Sequence, residues 1–425
     1  MKKINLKNLD MSFYTETLNN GLEVYMIPYE NKKNYFISYA TRFGSDVLEF
    51  TDDKKKSHKP PLGVAHFLEH KMFEEESGID PFTFFSESGT DGNASTSFDS
   101  TQYICYGNQE FNKNLRYLLQ FVSNPYYTDE NVEKEKGIIA EEINMYEDIP
   151  DFKLEMKLRE CIYKNSPRRI DIAGSVEEIY KITKEDLYAC YNNFYIPSNM
   201  FVLVVGNFDR EIALEIIKDE LDTKVTTHLP KVKQVKEPVK VNKDKLTMKG
   251  NVEVPKVALG LKISTAKLEL KDFELDLYLA MLTNILFGAA SNFREKVRKN
   301  KLLNGIYTEW ESIDGFKTFY LMASTIDPDE LIKEIKDVLD KVDIDEDSFN
   351  RIKKVWQARE IKMIDSIEET VDSAYNDIIN YRRIIPNKLD IIKSMKYKVL
   401  KDLIKKIDFK NRSIVKMTNK SKKEN

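Results

Sequence analysis

Five residues, His66-Phe67-Leu68-Glu69-His70, constrain this chain more than any other stretch of its sequence. Only an α-helix brings positions i, i+3 and i+4 to one side, so the pentad reads as a helix carrying two imidazoles and the Glu69 carboxylate on a shared face. Val64, Leu68 and Met72 form an i, i+4, i+8 apolar stripe that turns toward a core. Pro60 and Pro61 punctuate the start of a helix predicted over Leu62 to Glu76. With four histidines among 425 residues, a chance H-x-x-E-H has a probability of roughly a few in a thousand. Two histidines at that spacing can bind one metal ion.

A catalytic zinc takes three protein ligands and keeps its fourth position for water. A helix predicted from Glu130 to Tyr146 offers Glu135, Glu141 and Glu142 as the third. Glu135 and Glu142, seven residues apart, share a face about two turns from one another. Spacing alone leaves open which of them meets the histidines.

Around these helices the first half carries strand-like runs at Leu22 to Pro28, Tyr35 to Phe43, Asn93 to Phe98, Thr101 to Tyr106 and Phe201 to Val205, and further helices at Asn112 to Val122 and Lys184 to Phe194. From Leu221 to Lys245 the texture changes to alternating Lys and Val with Pro230 and Pro238, which reads as an exposed connection. Strand-like Val252 to Ile263, an apolar helix over Asp272 to Phe287, a short helix ending near Asn300 and a strand at Phe316 to Thr325 follow. The order repeats that of the first half, although direct identity between the halves is faint. The expected fold class is α+β, two similar halves, each a mostly antiparallel sheet with helices on one face. The expected division is 1–222, a linker at 223–245, and 246–425, with a frayed Lys-rich tail from Asn419.

Composition narrows the function classes. With 41% hydrophobic residues, 11% aromatics, 15 glycines and 13 prolines the chain is a packed one, long enough for two to three domains. Its 66 basic and 70 acidic residues cancel to −4, so neither nucleic acid nor an anionic membrane surface is an expected partner. No stretch approaches the ~20 apolar residues of a membrane span, and no secretory apolar run follows the basic start, so the cytoplasm is the expected location. Cys105, Cys161 and Cys190 lack any C-x-x-C spacing and are expected as buried free thiols. Gly288 and Gly305 are isolated, which leaves no phosphate-cradling loop, and Phe82 to Phe85 are expected in the core.

The segment Gly63-Val-Ala-His-Phe-Leu-Glu-His-Lys-Met-Phe73, together with Asn93-Ala-Ser-Thr-Ser97 and Glu135-Lys-Gly-Ile-Ile-Ala-Glu-Glu-Ile-Asn-Met145, resembles the pitrilysin/insulinase (inverzincin) metallopeptidases. Within that family, His-Lys-Met-Phe-Glu with Arg169-Ile-Asp-Ile-Ala-Gly174 looks closest to the bacterial YmfH-like peptidases. The resemblance covers residues 15 to 210 strongly and the rest weakly. It implies one zinc per chain, held by His66, His70 and Glu142, with Glu69 as general base and Glu135 supporting a ligand. It implies a peptide-binding strand edge at Asn93 and Ala94. In family members the second half supplies an Arg and, seven residues on, a Tyr; here Arg298 is followed by Tyr307, nine residues away. The expected activity is zinc-dependent endopeptidase action on peptides or small unfolded polypeptides, including precursor processing. The alternative is a non-catalytic structural partner of a related subunit. Family members built as one long polypeptide enclose a chamber with four such domains, so a homodimer, or a heterodimer with a related chain, is expected.

Overall fold

Strand Met200–Gly206 is buried at every position, which requires a sheet covered on both faces. In this computed structural model, which describes residues 1–6, 11–222, 228–270, 272–313 and 315–419, the strand lies inside a seven-stranded sheet. Its side chains alternate between two cores. Val202 and Val204 join the large core with residues of helices Val64–Lys71, Phe111–Ser123, Lys184–Phe194 and Arg210–Leu221. Phe201, Leu203 and Val205 meet Ile367, Val371, Ala374 and Ile378 of helix Ile367–Tyr381.

The sheet runs Lys2–Leu6, Met11–Thr17, Glu23–Pro28, Met200–Gly206, Tyr35–Thr41, Thr101–Gly107, Asp91–Thr96. Its neighbours are antiparallel except Glu23–Pro28 with Met200–Gly206. A second, five-stranded sheet runs Lys245–Gly250, Arg412–Asn419, Lys256–Ser264, Phe316–Ser324, Gly305–Ile313, again with one parallel pair, Lys245–Gly250 with Arg412–Asn419. Setting aside the first two strands of the chain, both sheets read first, last, second, fourth, third in chain order. The two halves share a topology that their sequences scarcely show.

The class is α+β, as expected, with the main helical layer on one face of each sheet. The other face is covered too, by a helix from the opposite half of the chain. Helix Ile367–Tyr381 covers the first sheet. Helix Pro150–Ile162 lays Leu154, Leu158, Cys161 and Ile162 against Ala258, Tyr320, Val415 and Met417 of the second. Gly260 permits that approach, since a Cβ there would stand 2.1 Å from Ile162 Cδ1. The compact units are therefore discontinuous: Met1–Asn144, Asp171–Gln234 and Met363–Asn387 form one, and Met145–Ile170, Val235–Lys362 and Lys388–Asn425 the other. The chain crosses between them five times, at 144/145, 170/171, 234/235, 362/363 and 387/388, the third within the expected 223–245 linker. That linker is less free than its composition suggests. Lys231–Val232 pairs with Phe50–Thr51, and Glu237 accepts the backbone N–H groups of Lys164, Asn165 and Ser166 at 3.0, 2.7 and 2.7 Å. Residues 223–227 of the linker and 420–425 of the tail lie outside the described residues.

Segment 273–299 is long and apolar enough, by length and composition, to cross a membrane. Its helix Asp272–Phe287 places Leu275, Tyr278, Leu279, Met281, Leu282, Ile285, Leu286 and Phe287 in the second unit's core. All three cysteines are buried free thiols. Of the phenylalanine cluster, Phe85 is core, whereas Phe82 is 47% exposed and stacks on Phe73, because the short helix Pro81–Glu87 has room to bury only one face.

The exchanged helix Pro150–Ile162 brings a buried charge network with it. Arg159 donates to both oxygens of Glu311 at 3.0 and 3.2 Å, Arg168 lies 3.2 Å from Glu311 Oε1, and the hydroxyls of Tyr163 and Tyr320 donate to Oε2 at 3.1 and 2.7 Å. Burial raises the Glu311 pKa, but Arg159 and Arg168 outweigh it and hold the group below its ordinary 4.5. A depressed carboxylate pKa stabilises the fold above the unfolded value, and that stability is lost as pH falls through the folded one. Glu311→Gln takes a carboxylate away from two buried arginines, of which Arg159 keeps Glu155 at 2.9 Å, and is expected to destabilise the chain by about 3 kcal/mol at pH 7 in urea unfolding. The gap between wild type and variant should narrow as the pH is lowered below 4.5. A gap that stays constant into acid would remove Glu311 from the network's energetics.

Candidate metal centre

Helix Val64–Lys71 begins at Gly63, whose φ of 86° places it in the left-handed region that glycine adopts freely. Space demands glycine as well. A Cβ on Gly63 would stand 2.2 Å from the Ala173 carbonyl oxygen, and one on Gly174, at φ 79°, 2.6 Å from that of Leu62. Two backbone segments thus interlock to fix where the helix starts. Val64, Phe67, Leu68 and Met72 are buried in the core beneath it, so its other face is presented at a set rotation. Gly63→Ala combines a strained backbone with a clash against backbone and should destabilise the fold by about 2 kcal/mol or more. Thermal unfolding measures this; an unshifted Tm would show that the interlock does not hold the helix.

On the presented face both imidazoles turn their Nε2 atoms to one carboxylate: His70 Nε2 lies 3.4 Å from Glu142 Oε2, and His66 Nε2 lies 3.8 Å from Glu142 Oε1. One ligand atom from each of the three residues fits within a mutual spread of 4.8 Å. Donors about 2.0–2.2 Å from a tetrahedral zinc stand roughly 3.3–3.5 Å from each other, so small side-chain adjustments would close the set around an ion. Helix Asp129–Glu147 supplies Glu142, and also Glu135 two turns earlier. Glu135 Oε1 accepts from His70 Nδ1 at 3.1 Å. With its proton on Nδ1, His70 keeps the Nε2 lone pair for the shared centre. Glu141 is exposed, and it is Glu142 that approaches the two imidazoles.

The electrostatics suit a metal. Burial, helped by the neighbouring His70, lowers the His66 pKa to about 4, so its ring is neutral and able to ligate at ordinary pH. Burial also lowers the His70 pKa, but Glu135, Glu69 and Glu142 together outweigh it and raise the value above 6.5. Burial pushes Glu135 up, yet His70 and Lys71 hold it below the usual carboxylate range. Lys71 is 1% exposed and ion-paired to Glu74, with its Nζ 3.6 Å from Glu135 Oε2. Three carboxylates beside two imidazoles, one of them kept neutral by burial, make a site that a divalent cation would neutralise, displacing any second proton on His70.

Glu69 is 9% exposed, and burial raises its pKa. The Thr96 hydroxyl donates to its Oε2 at 2.7 Å. Thr96 ends strand Asp91–Thr96, the edge strand of the first sheet, on which Asn93 is exposed and Ala94 half-buried. Among the described residues no strand pairs with its outer side. Spacing arguments did not assign parts to Thr96 and Lys71. The available signals were the strand alternation that puts Thr96 on Ala94's face, and a lysine embedded among apolar residues directly after the second histidine. Arg298 and Tyr307 belong to the second unit. Arg298 is exposed on helix Asn292–Lys299, and Tyr307, 54% exposed on strand Gly305–Ile313, donates its hydroxyl to Glu309 at 2.9 Å.

Residues 57–175 match the insulinase family (peptidase family M16), and residues 181–355 match the family described as the peptidase M16 inactive domain. The chain is 37% identical over 344 residues to the uncharacterized zinc protease YmfH of Bacillus subtilis, covering 80% of each. It is similar to the crystal structure of an M16-like peptidase from Alicyclobacillus acidocaldarius, with TM-score 0.91 and 30% identity over 98% of this chain and 100% of the other. Pitrilysin shares the fold at TM-score 0.74 and 15% identity, with 99% of this chain covering 46% of that one.

Proposed function

The chain belongs to the insulinase (M16) peptidase family, and from that premise we propose that it is a zinc-dependent endopeptidase acting on peptides or small unfolded polypeptides. The observation that carries this reading is the convergence of His66 Nε2, His70 Nε2 and a Glu142 oxygen beside a buried Glu69. Zinc, when bound there, supplies Lewis acidity to water and to the scissile carbonyl. Glu69 takes the proton of the attacking water and returns it to the leaving amine; its raised pKa brings its proton affinity closer to neutral pH, where such exchange is efficient. Thr96 holds one carboxylate oxygen of Glu69, which leaves the other to work. Glu135 fixes the ring of His70, and Lys71 supports Glu135. Asn93 and Ala94 lie on a strand edge suited to an extended peptide backbone, a mode that reads chain conformation more than side chains.

The inactive-domain match begins at residue 181, beyond every member of the metal set, which supports one zinc per chain. Processing of a precursor peptide is the narrower reading of the same site. Incubating the purified chain with an unbiased peptide library and reading cleavage by mass spectrometry tests the activity: cleavage abolished by chelation is expected, and a library left whole would favour the non-catalytic partner. The chain covers about half of pitrilysin, and we propose that a second, similarly folded chain completes the enzyme as a homodimer or heterodimer. Light scattering with parallel activity assays decides this, since a fully active monomer rules out both forms.

A further inference from the structure

The open edge of strand Asp91–Thr96 and the buried Glu69 carboxylate share one residue, Thr96. Across the turn that closes its hairpin, Ser97 donates its N–H to the Ser100 carbonyl at 2.7 Å. Bonded and non-bonded positions alternate in an antiparallel pair, so Gly92, Ala94 and Thr96, opposite Cys105, Tyr103 and Thr101, turn their backbone N–H and C=O groups to the open side. Two contacts agree with that count. The Ala94 N–H goes to the Asn93 side-chain oxygen at 2.8 Å instead of to the neighbouring strand. The Thr96 N–H donates to the Glu69 carboxylate, as its hydroxyl does at 2.7 Å. Just beyond Thr96 the chain is clamped: the Ser97 and Phe98 carbonyls accept from the N–H groups of Ser45 and Asp46 at 3.2 and 2.7 Å. A Cβ on Gly44 would stand 2.4 Å from that Ser97 oxygen. Before Thr96 the strand is paired on one side only among the described residues, and a strand bonded on one side is less restrained than one bonded on both. A peptide paired along the edge would supply the second side.

We propose that Thr96 is a positioning residue through which a peptide paired along residues 92–96 holds Glu69 in its working orientation. Contacts remote from the cut bond then appear in kcat as well as in affinity. The proposal rests on the peptidase reading and adds to it a coupling between the strand edge and the base.

The test uses full-length, zinc-loaded protein and a peptide cut in the library screen, with versions trimmed one residue at a time from each end. In wild type, trimming that uncovers the edge should lower kcat about tenfold or more. Thr96→Val keeps the shape and the preference for a strand but removes the hydroxyl. It should cut the untrimmed peptide about tenfold more slowly, with KM within about twofold, and should lose little more kcat on trimming. Thr96→Ser, which returns the hydroxyl, should recover most of the rate. Zinc content and thermal unfolding of both variants should match wild type. Normal kcat in folded, zinc-loaded Thr96→Val overturns the proposal, as do trimming losses of equal size in both proteins or a defect confined to KM. Loss of fold or zinc in Thr96→Val makes its part structural and overturns the proposal as well. All of these leave wild-type cleavage intact, whereas a wild-type chain that cuts no peptide overturns the peptidase reading and the coupling together.

Discussion

Glu69→Gln is expected to retain the fold and one bound zinc per chain while lowering kcat by about 10²–10⁴. The expectation follows from separate positions on one helix face. Glu69 accepts from Thr96, and His66 and His70 converge on Glu142. The amide keeps the shape of the side chain and can still pair with the Thr96 hydroxyl, but it cannot take a proton from water. Metal content and turnover should therefore come apart in this variant. Near-normal peptide hydrolysis by zinc-loaded Glu69→Gln would remove Glu69 as the base. A loss of zinc would instead place its carboxylate among the ligands.

The second large effect concerns the other helix. Glu142→Ala removes one of the three proposed ligand side chains and should weaken zinc binding by more than about 100-fold, the upper end of what loss of a supporting residue produces. Glu135→Gln still offers an acceptor to His70 Nδ1 but loses the charge that faces Lys71, and it should weaken zinc by about 10–100-fold. Glu141→Ala, exposed on the far side, should change nothing. Competition with a chromophoric chelator ranks the three. If Glu141→Ala emptied the site while Glu142→Ala filled normally, the rotation of helix Asp129–Glu147 described above would be wrong.

The shared face of His66 and His70, and that of Glu135 and Glu142, were legible in the sequence because helical periodicity is rigid: a spacing of four for the histidines and of seven for the glutamates fixes faces before any tertiary contact forms. The third ligand was not legible from spacing alone. Glu141 and Glu142 are neighbours, and only the packing of Val132, Lys136, Ile139 and Ile143 against the rest of the unit decides which turns inward. The strands Lys245–Gly250 and Gly305–Ile313 escaped notice because each is part-exposed and rich in polar residues, and Arg412–Asn419 because Lys416 interrupts its short buried run; pairing sets the places of all three. Exchange of helices Pro150–Ile162 and Ile367–Tyr381 was invisible for a related reason. An amphipathic pattern says that a face is buried, not which sheet buries it. Glu311 likewise reads as an ordinary strand residue until Arg159 and Arg168 arrive from the other half of the chain.

The most direct measurement is stoichiometric. Purified chain is stripped of metal with a chelator, shown by circular dichroism to remain folded, and titrated with zinc while hydrolysis of a peptide identified from the library screen is followed. Activity should be absent in the stripped protein, rise linearly and stop at one zinc per chain, with His66→Ala and His70→Ala silent throughout. Hydrolysis that persists without metal, or that zinc fails to restore in a folded protein, would contradict a zinc peptidase built on His66, His70 and Glu142.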